Sequence, residues 1–189
     1  MIETFAHWVE SNARQFPNDI AFVMQAESRT WNSLEQRSKH VAELLKQLGV
    51  ERTDRVAVLM KNAISFYEIL VASQQVGASV VGLNWRLQAE EIGEIVESAK
   101  PAVIIYDVAF SALLTGLNAS GLDCAKVSVE QLLSDIDAKA DAPVDALEAE
   151  VVADEPGLIL YSSGTTGKPK GVILTNRNLT TIPQMASDL

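Results

Sequence analysis

Between Arg55 and Val129 short apolar runs alternate with longer amphipathic ones, and this alternation restricts the fold more than any other feature of the chain. Arg55 to Met60 (RVAVLM) reads as a buried strand, Ile64 to Val76 as a largely apolar helix closed by Gly77, and Ser79 to Leu83 (SVVGL) as a second strand. Gln88 to Ala99 then sets Ile92, Ile95, Val96 and Ala99 on one helical face, and Lys100-Pro101 stops it. Val103 to Tyr106 (VIIY) is a third strand, Phe110 to Leu117 is helical, and Lys126 to Val129 is a short fourth strand. Strands that are apolar throughout need cover on both faces, and the helices between them supply the crossovers of parallel pairing. The prediction is an α/β fold: right-handed βαβ units forming a largely parallel sheet flanked by helices.

Upstream, Ile20 to Met24 pairs as a hairpin with Arg29 to Trp31 across the polar turn Gln25-Ala26-Glu27-Ser28. Asn32 is the expected N-cap of the next helix, with Glu35 at capping-box spacing. Leu34, Val41, Leu44, Leu45 and Leu48 share its inner face, and Gly49 ends it.

Composition narrows the function. The formal charge is −10, which argues against a nucleic-acid surface or an anionic membrane face, since both need clustered Lys and Arg. One cysteine, Cys124, excludes an internal disulfide and multi-Cys zinc patterns. No run approaches the ~18 apolar residues of a transmembrane helix, and the opening MIETFAHWVE lacks the basic and apolar regions of a signal peptide. The expectation is a soluble, cytoplasmic chain. From Asp135 to Glu155 eight acids face the single base Lys139, which reads as a solvated connector between residues 1–134 and residues 156–189.

After Pro156, the apolar strand Leu158 to Tyr161 runs into Ser162-Ser163-Gly164-Thr165-Thr166-Gly167-Lys168-Pro169-Lys170-Gly171, and Val172 to Leu174 forms a second short strand. The ten intervening residues hold three glycines, four hydroxyls, two lysines and no acid. Those types suit a polyphosphate. Glycines let backbone N–H groups approach an anion, hydroxyls donate to it, and Lys170 adds a point charge. Known phosphate loops fail on spacing. A Walker A loop needs Gly-Lys-Ser/Thr, whereas Gly167-Lys168 precedes Pro169; a dinucleotide fingerprint needs Gly-x-Gly, whereas Thr166 stands two after Gly164.

The stretch YSSGTTGKPKGV resembles the signature of the adenylate-forming superfamily: acyl-CoA synthetases, aryl-CoA ligases, luciferases and peptide-synthetase adenylation domains. Twelve consecutive positions agree. FAHWVESNARQFPNDIAFV, TWNSLEQRSKHVAELLKQLGV and RVAVLMKNAISFYEILVASQQVGASVVGLNWRL are similar to the elements that precede it in the family. Asn84-Trp85-Arg86-Leu87 resembles the Asn-x-Arg-Leu of acyl-CoA synthetases. The resemblance implies that ATP and a carboxylic acid, fatty in the first instance, give an acyl-adenylate, from which coenzyme A displaces AMP. It implies that Ser162, Ser163, Thr165, Thr166 and Lys170 hold the β- and γ-phosphates, with Gly164, Gly167 and Gly171 letting the loop fold over them. Lys168 falls at a variable position and takes no role, Pro169 stiffens the loop, and Tyr161 is a packing residue. Many relatives have His at the position of Asn176, which is expected here to cap the following helix.

Family members run several hundred residues further. The resemblance therefore places the Mg²⁺ ligand, the adenine, ribose and acyl contacts and the catalytic lysine beyond Leu189, and leaves no catalytic or metal-binding residue in this chain. The expectation is an inactive N-terminal portion of a CoA ligase, cut deliberately or by degradation before a naturally short gene is considered. Faces that lose their cover would favour self-association. Alternatives are an aryl-CoA ligase portion, a non-catalytic nucleotide- or phosphate-binding module, or an interaction protein that keeps the fold. His7, His40, Cys124, Trp8, Trp31 and Trp85 read as packing or surface residues, and the Asn84 to Leu87 tetrapeptide as a strand-to-helix connection.

Overall fold

A computed structural model describes residues 4–120, 124–139, 144, 152–162 and 169–187. Helix α1 (Phe5–Gln15) precedes the hairpin β1 (Ile20–Met24) and β2 (Glu27–Thr30), and α2 (Trp31–Gln47) follows. Then come β3 (Arg55–Leu59), α3 (Ile64–Gln75), β4 (Ser79–Leu83), α4 (Ala89–Ala99), β5 (Val103–Tyr106), a 3-10 helix (Val108–Ser120), β6 (Ala125–Ser128) and α5 (Val129–Ala138). The chain ends in β7 (Pro156–Ser162), β8 (Lys170–Thr175) and α6 (Asn176–Ser187).

The main sheet has the order β6-β5-β3-β4-β7-β8. All of its pairings are parallel except β7 with β8. The apolar strands alternate their side chains between two cores, as the two-residue period requires. Val56, Val58, Val80, Val103 and Ile105 join the core under α1, α2, α3 and α5. Ala57, Leu59, Val81, Leu83 and Ile104 join the core under α4 and the 3-10 helix. Each Val, Leu or Ile so buried contributes roughly 1.5–3 kcal/mol. The fold is α/β, a mostly parallel sheet between helical layers.

Local signals account for the element ends, with corrections. The N-cap of α2 is Thr30, whose hydroxyl accepts from the Ser33 N–H at 3.2 Å, and not Asn32. The hairpin turn is tighter than expected: Met24 pairs with Glu27, with Gln25 in the left-handed region, so β2 ends early and hands the cap to Thr30. Glu35 pairs with Lys39 at 2.6 Å instead of closing a capping box. Gly49 (φ +80°) ends α2 in the left-handed conformation, as expected. The segment read as a helix over 110–117 is a longer 3-10 helix, and α5 runs through Asp135 and Asp137 into the start of the acidic stretch. Ser128 caps α5 by accepting from the Gln131 N–H at 3.1 Å. Most of the remaining stretch, 140–143 and 145–151, lies outside the described residues.

A buried ion cluster ties the helical layer to the hairpin. Glu68 Oε1 on α3 accepts from Arg37 Nε at 2.7 Å and from Arg29 Nε at 3.1 Å, while Oε2 has no partner among the described residues. Arg37 also donates to Asp137 on α5 at 2.6 Å. Burial works against the Arg37 charge. The hydrogen bond to Asp137 and the charge of Glu68 outweigh it and hold the guanidinium above its ordinary value.

Candidate functional site

The loop singled out in the sequence is carried by the β7–β8 hairpin. Pairing runs from Leu158↔Leu174 through Tyr161↔Gly171 to Ser162↔Lys170, leaving residues 163–169 between the strands. The connecting segment is thus shorter than the ten residues expected, because both strands extend into it. Ser163, Gly164, Thr165, Thr166, Gly167 and Lys168 lie outside the described residues. The structure therefore brings together Ser162, Lys170 and Gly171 of the expected site residues. Ser162 and Lys170 are exposed neighbours at the hairpin's end.

Position in the sheet gives this end its meaning. β7 is parallel to β4, with Gly82 opposite Leu160, so Ser162 and Lys170 stand at the carboxyl edge of the parallel strands. Ligands of open α/β sheets bind at that edge. Beside it Arg86 Cζ lies 4.3 Å from the Trp85 ring centroid, and Lys61 Nζ lies 5.2 Å away. Trp85 stacks on Phe110 at 5.4 Å. Asn84 shapes the connection by accepting the Arg86 N–H at 3.0 Å. The tetrapeptide is a strand-to-helix connection, as read, but it also holds a cation against an aromatic ring. Lys61, from the loop after β3, and Phe110, from the 3-10 helix, join it from distant parts of the sequence, so no local pattern could have found the group. Lys61 and Arg86, which follow β3 and β4, thus stand near the same edge as Lys170 in a chain whose net charge is −10.

Tyr161 is a packing residue. Its phenol donates to Ser98 Oγ on α4 at 3.3 Å. Gly171, facing it, leaves room for the ring: a Cβ there would lie 3.4 Å from Tyr161 Cζ and 3.3 Å from Ile159 Cγ2.

At the opposite end the hairpin is clamped to the body of the fold, and here Asn176 departs from expectation. The cap of α6 is Thr175, whose hydroxyl accepts from the Asn178 N–H at 3.3 Å while its own N–H donates to Asn178 Oδ1 at 3.0 Å. Asn176 turns inward and is buried. Its Oδ1 accepts from Gln74 Nε2 at 2.9 Å, and its Nδ2 donates to the Val152 carbonyl at 3.0 Å. Gln74 Oε1 in turn accepts the Ala6 N–H of α1 at 2.8 Å. Gly157 admits this pair: a Cβ there would fall 2.5 Å from Asn176 Oδ1 and 3.1 Å from Gln74 Nε2. Backbone bonds from Asn176 to Glu155 and from Arg177 to Ala153, at 2.9 and 2.8 Å, close the clamp.

Among the described residues no group of three or more His, Cys, Asp or Glu is placed to hold a metal ion, and no helix is long and apolar enough to cross a membrane.

The family profile of the AMP-binding enzymes matches residues 9–187. The chain is 34% identical over 178 residues to a 2-succinylbenzoate–CoA ligase of Bacillus cereus, covering 94% of this chain and 34% of that protein. It is 29% identical over 177 residues to the fatty acid–[acyl-carrier-protein] ligase ScoC of Streptomyces coeruleorubidus, with the same coverage of 94% and 34%. An inhibitor-bound N-terminal domain of FACL13 from Mycobacterium tuberculosis superposes with a TM-score of 0.82 at 27% identity, over 92% of this chain and 44% of that one. The chain spans about a third of the length of these curated relatives. With that profile covering nearly every residue, on a fold shared with the FACL13 N-terminal domain, the chain belongs to the AMP-binding enzyme family of adenylate-forming ligases.

Proposed function

We propose that this chain is the N-terminal part of an ATP-dependent, AMP-forming carboxylate–CoA ligase. A substrate carboxylate oxygen attacks the α-phosphorus of ATP, pyrophosphate leaves, and acyl-AMP results. The coenzyme A sulfur then attacks the acyl carbonyl, the thioester forms, and AMP departs. Ser162, Ser163, Thr165, Thr166 and Lys170 hold the β- and γ-phosphates, and Gly164, Gly167 and Gly171 let the loop close over them. Their contribution is to position the triphosphate and offset charge as pyrophosphate leaves. The observation that carries this reading is the pairing of Ser162 with Lys170 at the carboxyl edge of the parallel strands.

No Mg²⁺ ligand is assigned in this chain. The metal that accompanies ATP offsets phosphate charge, and its protein ligand belongs to the part of the ligase beyond these residues. The substrate we assign first is a fatty acid, in keeping with the fatty-acid ligase among the relatives. An aryl-type carboxylate is the second reading, favoured by the 2-succinylbenzoate–CoA ligase. We divide the chain into an α/β unit (1–134), an acidic connector (135–155) whose first residues continue α5, and the phosphate-loop hairpin with the next helix (156–189). We place the protein in the cytoplasm. Exposed Leu160, Val172 and Ile173 on the edge hairpin support self-association of the isolated chain, which we propose is inactive by itself.

The test is pyrophosphate–ATP exchange by the whole ligase carrying Lys170→Ala. Exchange at least about tenfold slower is expected, since single electrostatic donors at developing charge commonly matter by 10²–10³. An unchanged rate removes Lys170 from the phosphate site. Turnover by the 189-residue chain alone would overturn its assignment as an incomplete enzyme.

A further inference from the structure

We propose that Gln74 and Asn176 are positioning residues for Ser162 and Lys170 at the hairpin's end, a claim that rests on the phosphate-binding reading given above. They sit at the base of the hairpin, far from its tip. β7 is seven residues long, which at ~3.3 Å per residue sets Ser162 about 20 Å from Pro156 at the strand's start. A small rotation at the base is therefore multiplied where Ser162 and Lys170 must meet a ligand.

The Gln74–Asn176 pair fixes that rotation. Through Ala6 it reaches α1, through Gln74 it is anchored on α3, and through Val152 it holds the turn that enters β7. Both side chains are almost fully buried, at 1% and 2% exposure, so neither finds water if its partner is lost. Each amide uses both ends: Gln74 accepts from Ala6 and donates to Asn176, and Asn176 accepts from Gln74 and donates to Val152. The relay has one polarity, and an amide at each position satisfies it. Among the described residues the apolar core does not specify the angle of the hairpin so narrowly, because β8 is the sheet's edge strand and Val172 and Ile173 are exposed.

The test uses hydrogen exchange on the 189-residue chain, comparing hairpin amides (159–161 and 172–174) with central amides (56–58 and 80–82). Gln74→Glu keeps the shape and the acceptor for Ala6 but loses the donor to Asn176. At neutral pH the hairpin amides are expected to exchange about tenfold faster or more, with the central amides unchanged. As the pH falls and the new carboxyl takes up a proton, the donor returns, and the ratio of hairpin to central rates returns toward the parent's. Asn176→Ala gives the same acceleration without recovery in acid, and the double variant is no faster than Asn176→Ala alone. Uniform acceleration across the sheet, no acceleration, or a pH-independent Gln74→Glu effect would each overturn the proposal. ATP calorimetry separates the two claims. Binding weakened about fivefold or more in Gln74→Glu supports both. Unchanged pyrophosphate–ATP exchange by the whole ligase carrying Lys170→Ala counts against the phosphate reading, and the hydrogen-exchange ratios still decide the positioning claim.

Discussion

Replacing Gly157 by alanine tests the clamp at its tightest point. The added Cβ would lie 2.5 Å from Asn176 Oδ1, 2.7 Å from Leu179 Cδ1 and 3.1 Å from Gln74 Nε2. The Leu179 methyl can rotate away at little cost. Asn176 cannot, because Gln74 and Val152 hold its two ends. Relief must come from moving the backbone of β7, about 1–3 kcal/mol for overpacking, or from breaking a buried amide bond, about 1–3 kcal/mol for each group left unpaired. The variant recovers about 0.4–1 kcal/mol from a stiffer unfolded chain, since Gly157 is not in the left-handed region. The net expectation is a loss of about 1–2.5 kcal/mol, read as a lower urea midpoint with unchanged slope, followed by the fluorescence of Trp8, Trp31 and Trp85. Gly82→Ala is the control. Its Cβ would meet Leu160 Cδ2 at 3.0 Å, and that side chain is 43% exposed and free to swing out, so about 1 kcal/mol or less is expected. Equal effects at both positions, or a Gly157→Ala loss below about 0.5 kcal/mol, would refute the argument that the Asn176 amide is immovable.

Arg37→Met should cost about 3 kcal/mol in urea unfolding, because Glu68 is left buried with Arg29 alone, and Arg37→Met with Glu68→Met should recover most of that loss. Asp154 is held below the ordinary aspartate range by its hydrogen bond from Arg177 and then by that residue's charge. Its folded-state value is depressed, so its contribution is present above the unfolded value and is lost as the pH falls through the folded one. Asp154→Asn should therefore flatten the acid limb of the urea midpoint against pH, and an unchanged limb would deny the pair any role. Val172→Lys with Ile173→Lys should return the isolated chain to monomer in light scattering at high concentration; persistent association would move the contact elsewhere.

The central strands were legible in the sequence because they are buried on both faces and lie between periodic helices; β4 and β5 fall at the expected residues. The cap of α2 is expected at Asn32 and falls at Thr30. Which one caps depends on where the hairpin ends, and that follows from pairing across β1 and β2. Asn176 was legible as a polar residue at a helix start. Its partners Gln74 and Val152 were not, since the first is 102 positions away and the bond to the second is made by backbone. The strip of Lys61, Trp85, Arg86 and Phe110 was hidden for the same reason: two loops and the 3-10 helix converge only once the sheet is built. The glycine- and hydroxyl-rich segment could be read because its chemistry is written in consecutive residues.

The strand order also dictates a sequence of events. β3, β4 and β5 associate through short crossovers, but the outer flank of β4 waits for β7, which is synthesised only after β5, β6 and α5. Until then a row of main-chain groups along Val80, Val81 and Gly82 has no partner. Pulse-labelled refolding should accordingly find the amides of β3 protected first and those of β7 last, and a circular permutant that makes β7 and β8 ahead of β3 should shorten the time in which nascent chains can pair with one another instead.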